Sequence, residues 1–264
     1  MKKIWPWVLF SLFLLMGVGL LAYPTVSDYV NRMNGSHAIQ VLADTLSLTD
    51  EAALEYQRDL AQAYNRRLLD PEAGNAGNYG DILDFGNGVM GYLEIPGIDV
   101  FLPVYHGTEE EILARGVGHM PQSAFPIGGE GNHAALVGHT GLPSARMLDD
   151  LVKLKVNDGF SVTVLGETLA YCVDQILVVE PGDSAGLAPV PGEDYCTLVT
   201  CTPYGVNSHR LLVRGSRVEQ VQQTIGPAAV PSVSVKGIWW FATISPLVMG
   251  IAVAAALILR LRRR

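Results

Sequence analysis

CTLVTCTPYGVNSHRLLVRG, residues 196–215, holds two short aliphatic and β-branched runs on either side of a segment rich in Pro, Gly, Asn and Ser. Runs of that kind, bounded by turn formers, read as neighbouring strands. Cys201 closes the first run and Arg210 opens the second, nine residues on. If the runs pair, their facing ends come together. A residue at a strand end is held by the sheet but faces the loops, where chemistry is often placed. A guanidinium beside a thiol favours the thiolate and can donate to an oxyanion. A buried strand cysteine beside a surface arginine fits the same pattern, and the local sequence leaves both readings open.

The texture around this stretch is the same. VMGYLEI, IDVFLPVY, AALVGH, FSVTVL and TLAYCVDQILVVE are further short runs of β-branched and aromatic residues separated by Gly, Pro and Asp. Two short helical stretches interrupt them, near residues 108–115 and 144–151. Seven or eight short strands predict a mainly β domain, either a sandwich or a small closed barrel. Upstream, residues 26–68 read as helical. Leu60, Tyr64 and Leu68 recur every four residues, and Thr49-Asp50-Glu51 supplies a cap and an early acid for a second helix. Between the helices and the strands, DPEAGNAGNYGDILDFGNG (residues 70–88) reads as a long loop, and loops of that length are usually functional or disordered.

Charge divides the chain more sharply than composition does. Of its 264 residues 49% are hydrophobic and 17% are charged, against about 25% charged in average proteins. Residues 4–22 and 238–259 contain no charge, and each run is long enough to cross a bilayer core of about 30 Å as a helix. All 26 acids lie between Asp28 and Glu219. Six of the 18 basic residues, Lys2, Lys3, Arg260, Arg262, Arg263 and Arg264, flank the apolar runs, so 12 basic residues face 26 acids between them, a net charge of −14. That balance argues against nucleic-acid binding, which shows a basic face. The basic flanks predict both termini on the cytoplasmic side and the middle domain outside. The first run also fits a cleaved secretory signal; the second, ending in RLRRR, reads as a stop-transfer anchor.

Cys172, Cys196 and Cys201 are an odd number for an exported domain, so at least one thiol stays out of an intramolecular disulfide. Cys196 and Cys201 are five apart, which places them on opposite faces of a continuous strand. A Cys172–Cys196 disulfide is compatible with the sequence. Among six histidines, His139 is the best local partner for a nucleophile, because it also follows an apolar run, AALVG. His37 falls in the helical arm, and His106 and His119 adjoin glycines and read as structural; His133 is six residues from His139, an even spacing. No Cys-x-x-Cys or His-x-x-x-His spacing points to a metal, and no cofactor is implied. Glu109-Glu110-Glu111 after Thr108 reads as a capped helix start and not as an ion site.

At these residues the sequence resembles a known family. TLVTC with Arg210 downstream is similar to the sortase signature, and VGHTGLPSARMLDDL to the segment carrying the sortase histidine. GYLEIPGIDVFLPVYHGT, LAYCVDQILVVEP and TLVTCTPYGVNSHRLLVRG resemble the pilin-polymerising sortases, class C, of Gram-positive bacteria. The likeness runs from about residue 89 to residue 217. It implies a closed eight-stranded sortase β-barrel and a catalytic set of His139, Cys201 and Arg210. It also implies a substrate with an LPxTG-like sorting signal, and transpeptidation through a thioester to a pilin lysine. Thr200 could orient substrate or be a plain strand threonine. Class C sortases usually carry a lid in which Asp-Pro is followed by an aromatic residue. Here Glu72 follows Asp70-Pro71, and the nearest aromatic residues are Tyr79 and Phe85. The departure implies either weaker autoinhibition or a lid that uses Tyr79 over Cys201, and Asp70 could pair with Arg210.

The expected organisation is a membrane or signal segment over residues 1–25, a helical arm over 26–69, a lid loop over 70–88 and a catalytic barrel over 89–220. A linker over 221–237, an anchor over 238–259 and a basic cytoplasmic tail over 260–264 follow. The expected partners are pilin subunits and membrane lipid. Two other readings fit less of the sequence: a housekeeping sortase that joins surface proteins to a cell-wall precursor, and a non-catalytic, membrane-tethered adhesion or pilus-assembly domain.

Overall fold

The computed structural model describes residues 5–70, 72 and 77–219. Pro71, the 221–237 linker and the apolar run over 238–259 lie outside the described residues.

The first element, α1 (Trp5–Leu48), is one helix of 44 residues. The apolar run and the first half of the helical arm are therefore continuous. Pro24 sits inside this helix, where it removes one backbone hydrogen bond and favours a bend at the edge of the apolar run. The segment Leu9–Leu48 includes a window of mean hydropathy 2.0, none of it buried in the protein. Among the described residues it is the one helix long and apolar enough to cross a membrane. The second helix, α2 (Glu51–Leu69), starts after Asp50, whose backbone carbonyl accepts from Ala53 and Leu54 while its carboxylate makes no capping bond. Leu60 and Tyr64 pack on the main core, whereas Leu68 stays exposed. Asn65, buried on this face, donates to Phe125 O at 3.0 Å and accepts from Phe125 N at 2.7 Å.

Eight strands follow: β1 (Val89–Ile95), β2 (Val100–His106), β3 (Val117–His119), β4 (Asn132–Val137), β5 (Gly159–Val164), β6 (Glu167–Val179), β7 (Asp194–Thr202) and β8 (His209–Val218). They close into a barrel in the order β1-β2-β3-β4-β7-β8-β6-β5. β2/β3 and β4/β7 are parallel, and the other neighbours are antiparallel. Strand β3 has no counterpart among the apolar runs of the sequence, because three residues with a central glycine carry no periodicity. The expected helix near residue 110 is α3 (Glu110–Leu113), preceded by Glu109, not Thr108, at the cap position. A 3-10 turn over Asp149–Lys153 stands at the end of the expected 144–151 helix. Inward residues Leu93, Val104, Leu136, Val162, Leu198 and Val213 fill the barrel with negligible exposure.

The described part of the 70–88 loop is pinned to the body. Ile82 and Leu83 are fully buried. Ile82 O meets His106 Nε2 at 2.6 Å, and Leu83 N donates to Gln57 Oε1 at 2.6 Å. Tyr79 lies among Phe125, His119, His106 and Tyr64, with ring centroids 5.3 to 5.9 Å away. Its hydroxyl accepts from Gly107 N at 3.0 Å and lies 3.0 Å from both His119 Nδ1 and His119 O. His119 is fully buried, and burial pushes its imidazole down to about 4. A histidine held neutral in the fold binds fewer protons than its unfolded counterpart between pH 6.5 and 4. Stability is therefore lost as pH falls through that window, by about 3 kcal/mol for this group. Guanidinium unfolding of the detergent-solubilised chain at pH 7 and pH 4.5 should show the loss, and His119→Gln should remove most of it.

The cysteines do not pair. Cys172 faces outward from β6 and Cys196 inward from β7, and both are free. Strand β8 lies between them, with Ser216 opposite Cys172 and Gly215 opposite Cys196. Two strand spacings are about 10 Å, beyond the roughly 7 Å Cα separation that a disulfide spans. The disulfide that the sequence allows is thus ruled out by topology.

Candidate active site

Three adjacent strands place the three predicted residues. In β7, Cys196 and Leu198 belong to the core and Thr200 is buried, so alternation turns Cys201 to the outer face. Cys201 is opposite Arg210 in the antiparallel β7/β8 ladder. On its other side β7 runs parallel to β4, with Val199 opposite Val137, and Gly138 N continues the ladder to Val199 O at 2.9 Å. His139 is two residues beyond Val137, as Cys201 is beyond Val199. The ladder therefore sets His139, Cys201 and Arg210 across one end of β4, β7 and β8, half-buried, with the thiol free.

The residues flanking His139 are held from several sides. Thr200 Oγ1 donates to Gly138 O at 2.7 Å and meets Thr140 Oγ1 at 2.6 Å. Leu148 N donates to His139 O at 3.1 Å, and Gly141 N donates to Asp149 Oδ1 at 2.7 Å. Gly138 leaves room for Leu148, whose Cδ1 is 2.5 Å from where a Cβ would stand. Gly141 takes φ +83°, which favours glycine at this turn. The hydroxyl of Thr200 bonds inside the protein, so Thr200 ties strand β7 to the segment that carries His139. Thr200→Val leaves Gly138 O without its donor. It should destabilise the chain by about 1–3 kcal/mol, with turnover falling more than KM rises; unfolding curves and steady-state kinetics check this.

Glu110 approaches His139 without any signal in the sequence. Its Oε1 lies 3.2 Å from His139 Nε2, an ion-pair distance without hydrogen-bond alignment. Nothing local in the acidic triplet distinguishes Glu110, because the contact joins α3 to the segment after β4. The Glu110 side chain is 79% exposed, so any help it gives an imidazolium is small and weakened by salt. Arg210 Nη1 donates to Asn207 O at 3.3 Å and to His209 O at 3.1 Å, which keeps the guanidinium at the loop beside Cys201. Tyr204 and Val206 of that loop are exposed. The loop abuts Gly141, where a Cβ would stand 3.9 Å from Tyr204 Cε2.

The other histidines are engaged elsewhere. His133 meets Ala188 O at 3.0 Å and Thr197 Oγ1 at 2.7 Å, and burial lowers its pKa. His106 and His119 bond to loop carbonyls, His209 pairs with Ser208, and His37 is exposed on α1. Among the described residues no group of His, Cys, Asp and Glu has the arrangement of a metal site.

Nor do Asp70 and Tyr79, the described residues of the expected lid, gather over Cys201. Asp70 ends α2 and accepts from Glu72 N at 3.0 Å; it forms no ion pair with Arg210. Tyr79 is packed at His119, which stands opposite the inward-facing Leu136, whereas Cys201 faces outward. A Tyr79 plug over the thiol is therefore absent. Asp70→Ala should leave the rate of Cys201 alkylation within about twofold of the parent; a larger acceleration, followed with a maleimide, would restore a gating role.

The sortase-domain family profile matches residues 93–218. The crystal structure of sortase C1 from Streptococcus agalactiae superimposes with a TM-score of 0.66 at 44% identity, covering 70% of this chain and 100% of that one. A sortase C structure from Streptococcus pneumoniae, whose description concerns catalysis and pilin substrate specificity, gives 0.63 at 43% identity, covering 70% and 97%. Sortase SrtE1 of Streptomyces coelicolor is 31% identical over 148 residues, 51% of this chain and 42% of that protein. The chain thus spans less than half the length of that curated relative, and nearly the full length of the sortase C structures.

Proposed function

Because the chain belongs to the sortase family, we propose that it is a membrane-anchored cysteine transpeptidase of class C, which joins pilin subunits through lysine isopeptide bonds. The observation that carries this reading is the row His139, Cys201, Arg210 across adjacent strands. The likeness to the streptococcal sortase C structures supports the class, and it weighs against both the wall-anchoring and the non-catalytic readings.

The chemistry follows from the three groups. A thiol is mostly protonated near neutral pH and is a poor nucleophile until it loses its proton. Cys201 as thiolate attacks the threonine carbonyl carbon of an LPxTG-like signal. The carbonyl oxygen becomes an oxyanion, to which Arg210, permanently protonated, donates. His139 as imidazolium gives its proton to the leaving glycine amine as the C–N bond breaks, which leaves a thioester and a neutral imidazole. A pilin lysine enters as the neutral amine and attacks the thioester. Its proton returns to His139, the C–S bond breaks, and the thiolate is restored. Bond formation and cleavage balance without metal, oxidant or cofactor.

The apolar part of α1 would span the membrane, with the barrel outside and the short basic leader inside. The apolar run over 238–259 would cross back, putting both termini in the cytoplasm. Incubation of the chain with a sorting-signal peptide and a pilin domain, followed by mass spectrometry, tests the reaction. A Thr–Lys isopeptide cross-link supports class C. Transfer only to a cell-wall-precursor amine would move the protein to the housekeeping group.

A further inference from the structure

The barrel meets α1 directly after its apolar stretch. Asp28 Oδ1 accepts from Arg146 N at 2.8 Å, six residues beyond Ala22, a rise of about 9 Å along the helix. Further along α1, Arg32 pairs with Asp99 at 2.9 Å, Gly35 packs against Pro103, and Ala38 and Leu42 pack with Tyr105. Strand β2 therefore runs beside α1 in the same direction, and its start is the end of the barrel nearest the apolar stretch. The turn Pro96–Ile98 precedes that start, and a Cβ on Gly97 would stand 4.0 Å from Leu154 Cδ2. Strand β5 begins at Gly159 and runs antiparallel to β1, with Glu94 opposite Ser161. Residues 151–157 are thus at the same end.

That segment, LVKLKVN, has an unusual surface. Leu151 and Leu154 are buried and hold it in place, whereas Val152 is 67% exposed and Val156 52% exposed. Lys153 and Lys155 alternate with them, and they are the only lysines between residues 28 and 219 of a strongly acidic domain. The acids around them are already engaged. Asp28 and Asp99 take Arg32, Asp150 takes Arg146 and Lys153, Asp149 takes Gly141 N, and Asp158 takes Lys155 N. The Lys155 ammonium has no carboxylate partner among the described residues.

We propose that this end of the barrel rests on the membrane, with Val152 and Val156 entering the interface and Lys153 and Lys155 meeting anionic phospholipid headgroups. The proposal rests on the reading of α1 as a membrane span. Alternating exposed aliphatic and basic residues suit the headgroup boundary, because lysine extends its charge to phosphate while its stem stays with apolar neighbours. A weak contact suffices, since α1 already holds the domain within reach and makes docking an intramolecular event. Docking also has a consequence for the site. Strands β4 and β7 run opposite to β2, toward the membrane, so Cys201 opens near the surface where a membrane-tethered sorting signal emerges.

The test uses the full chain in lipid nanodiscs, in a Cys172→Ser/Cys201→Ala background that leaves only the buried Cys196. A nitroxide is placed at Val156→Cys and, in separate samples, at Val190→Cys in the loop before β7 and Leu12→Cys in the apolar stretch. In discs containing phosphatidylglycerol, collision of the Val156 label with water-soluble nickel complexes should be at least threefold lower than that of the Val190 label. Lys153→Glu with Lys155→Glu should abolish the difference. Equal accessibility at 156 and 190, with Leu12 shielded, overturns the docking while leaving the span intact. Shielding that persists in pure phosphatidylcholine overturns the assignment to anionic headgroups. A water-accessible Leu12 removes the span, and the proposal with it.

Discussion

Cys201→Ala is expected to abolish both thioester formation and pilin cross-linking while leaving the fold intact. The side chain is half-buried at a strand end, its backbone bonds in the β7 ladder are retained, and alanine removes one sulfur atom from the outer face. Loss of a nucleophile that works as one unit with its base typically costs on the order of 10⁶ in turnover, so the product should fall below detection. The measurement is mass spectrometry of the acyl-enzyme trapped with a sorting-signal peptide, with circular dichroism as the control for folding. Persistence of cross-linking in this variant would transfer the chemistry away from the β7 strand end, because Cys172 faces outward from β6 and Cys196 is fully buried. Burial also pushes the Cys196 thiol far up, which leaves it without thiolate near neutral pH.

The second large effect belongs to Arg210. Removing a single oxyanion donor costs about 10²–10³ in turnover. Arg210→Ala should therefore lower kcat by about that factor, with a much smaller change in KM if the guanidinium serves the transition state more than the bound substrate. Arg210→Lys keeps the charge but not the planar fork held over the Asn207 and His209 carbonyls, and should recover only part of the loss. Steady-state kinetics on the three forms separate the cases. A rise in KM with kcat unchanged would make Arg210 a binding residue alone.

Much of this site is legible along the chain because its parts are strand ends. TLVTC and RLLVRG mark their own strands through β-branched content, and the turn residues between them force a neighbouring antiparallel pair, in which Cys201 and Arg210 face each other. The five-residue spacing of Cys196 and Cys201 likewise foretells opposite faces. What the pattern cannot express is contact between segments far apart. Glu110 reaches His139 across 29 positions, β3 is too short to show a period, and Tyr79 is absorbed into the ring stack around His119 where a loop reading makes it a plug. Separating Cys172 from Cys196 requires knowing that β8 inserts between their strands.

The sequence by itself determines that two uncharged runs flank an acidic, strand-rich segment carrying a cysteine and an arginine at facing strand ends. Those features depend on composition and on a period of two, both local properties of a polypeptide. Only the tertiary structure decides that His139 joins them, because β4 and β7 become parallel neighbours through barrel closure and not through proximity in the chain. It also decides that the hydroxyl of Thr200 bonds inside the protein and that α1 continues from the apolar run onto the side of β2. The physical reason is the same in each case. Burial of the inner faces sets the order of the strands, and that order, invisible in any short window, brings the site's residues together.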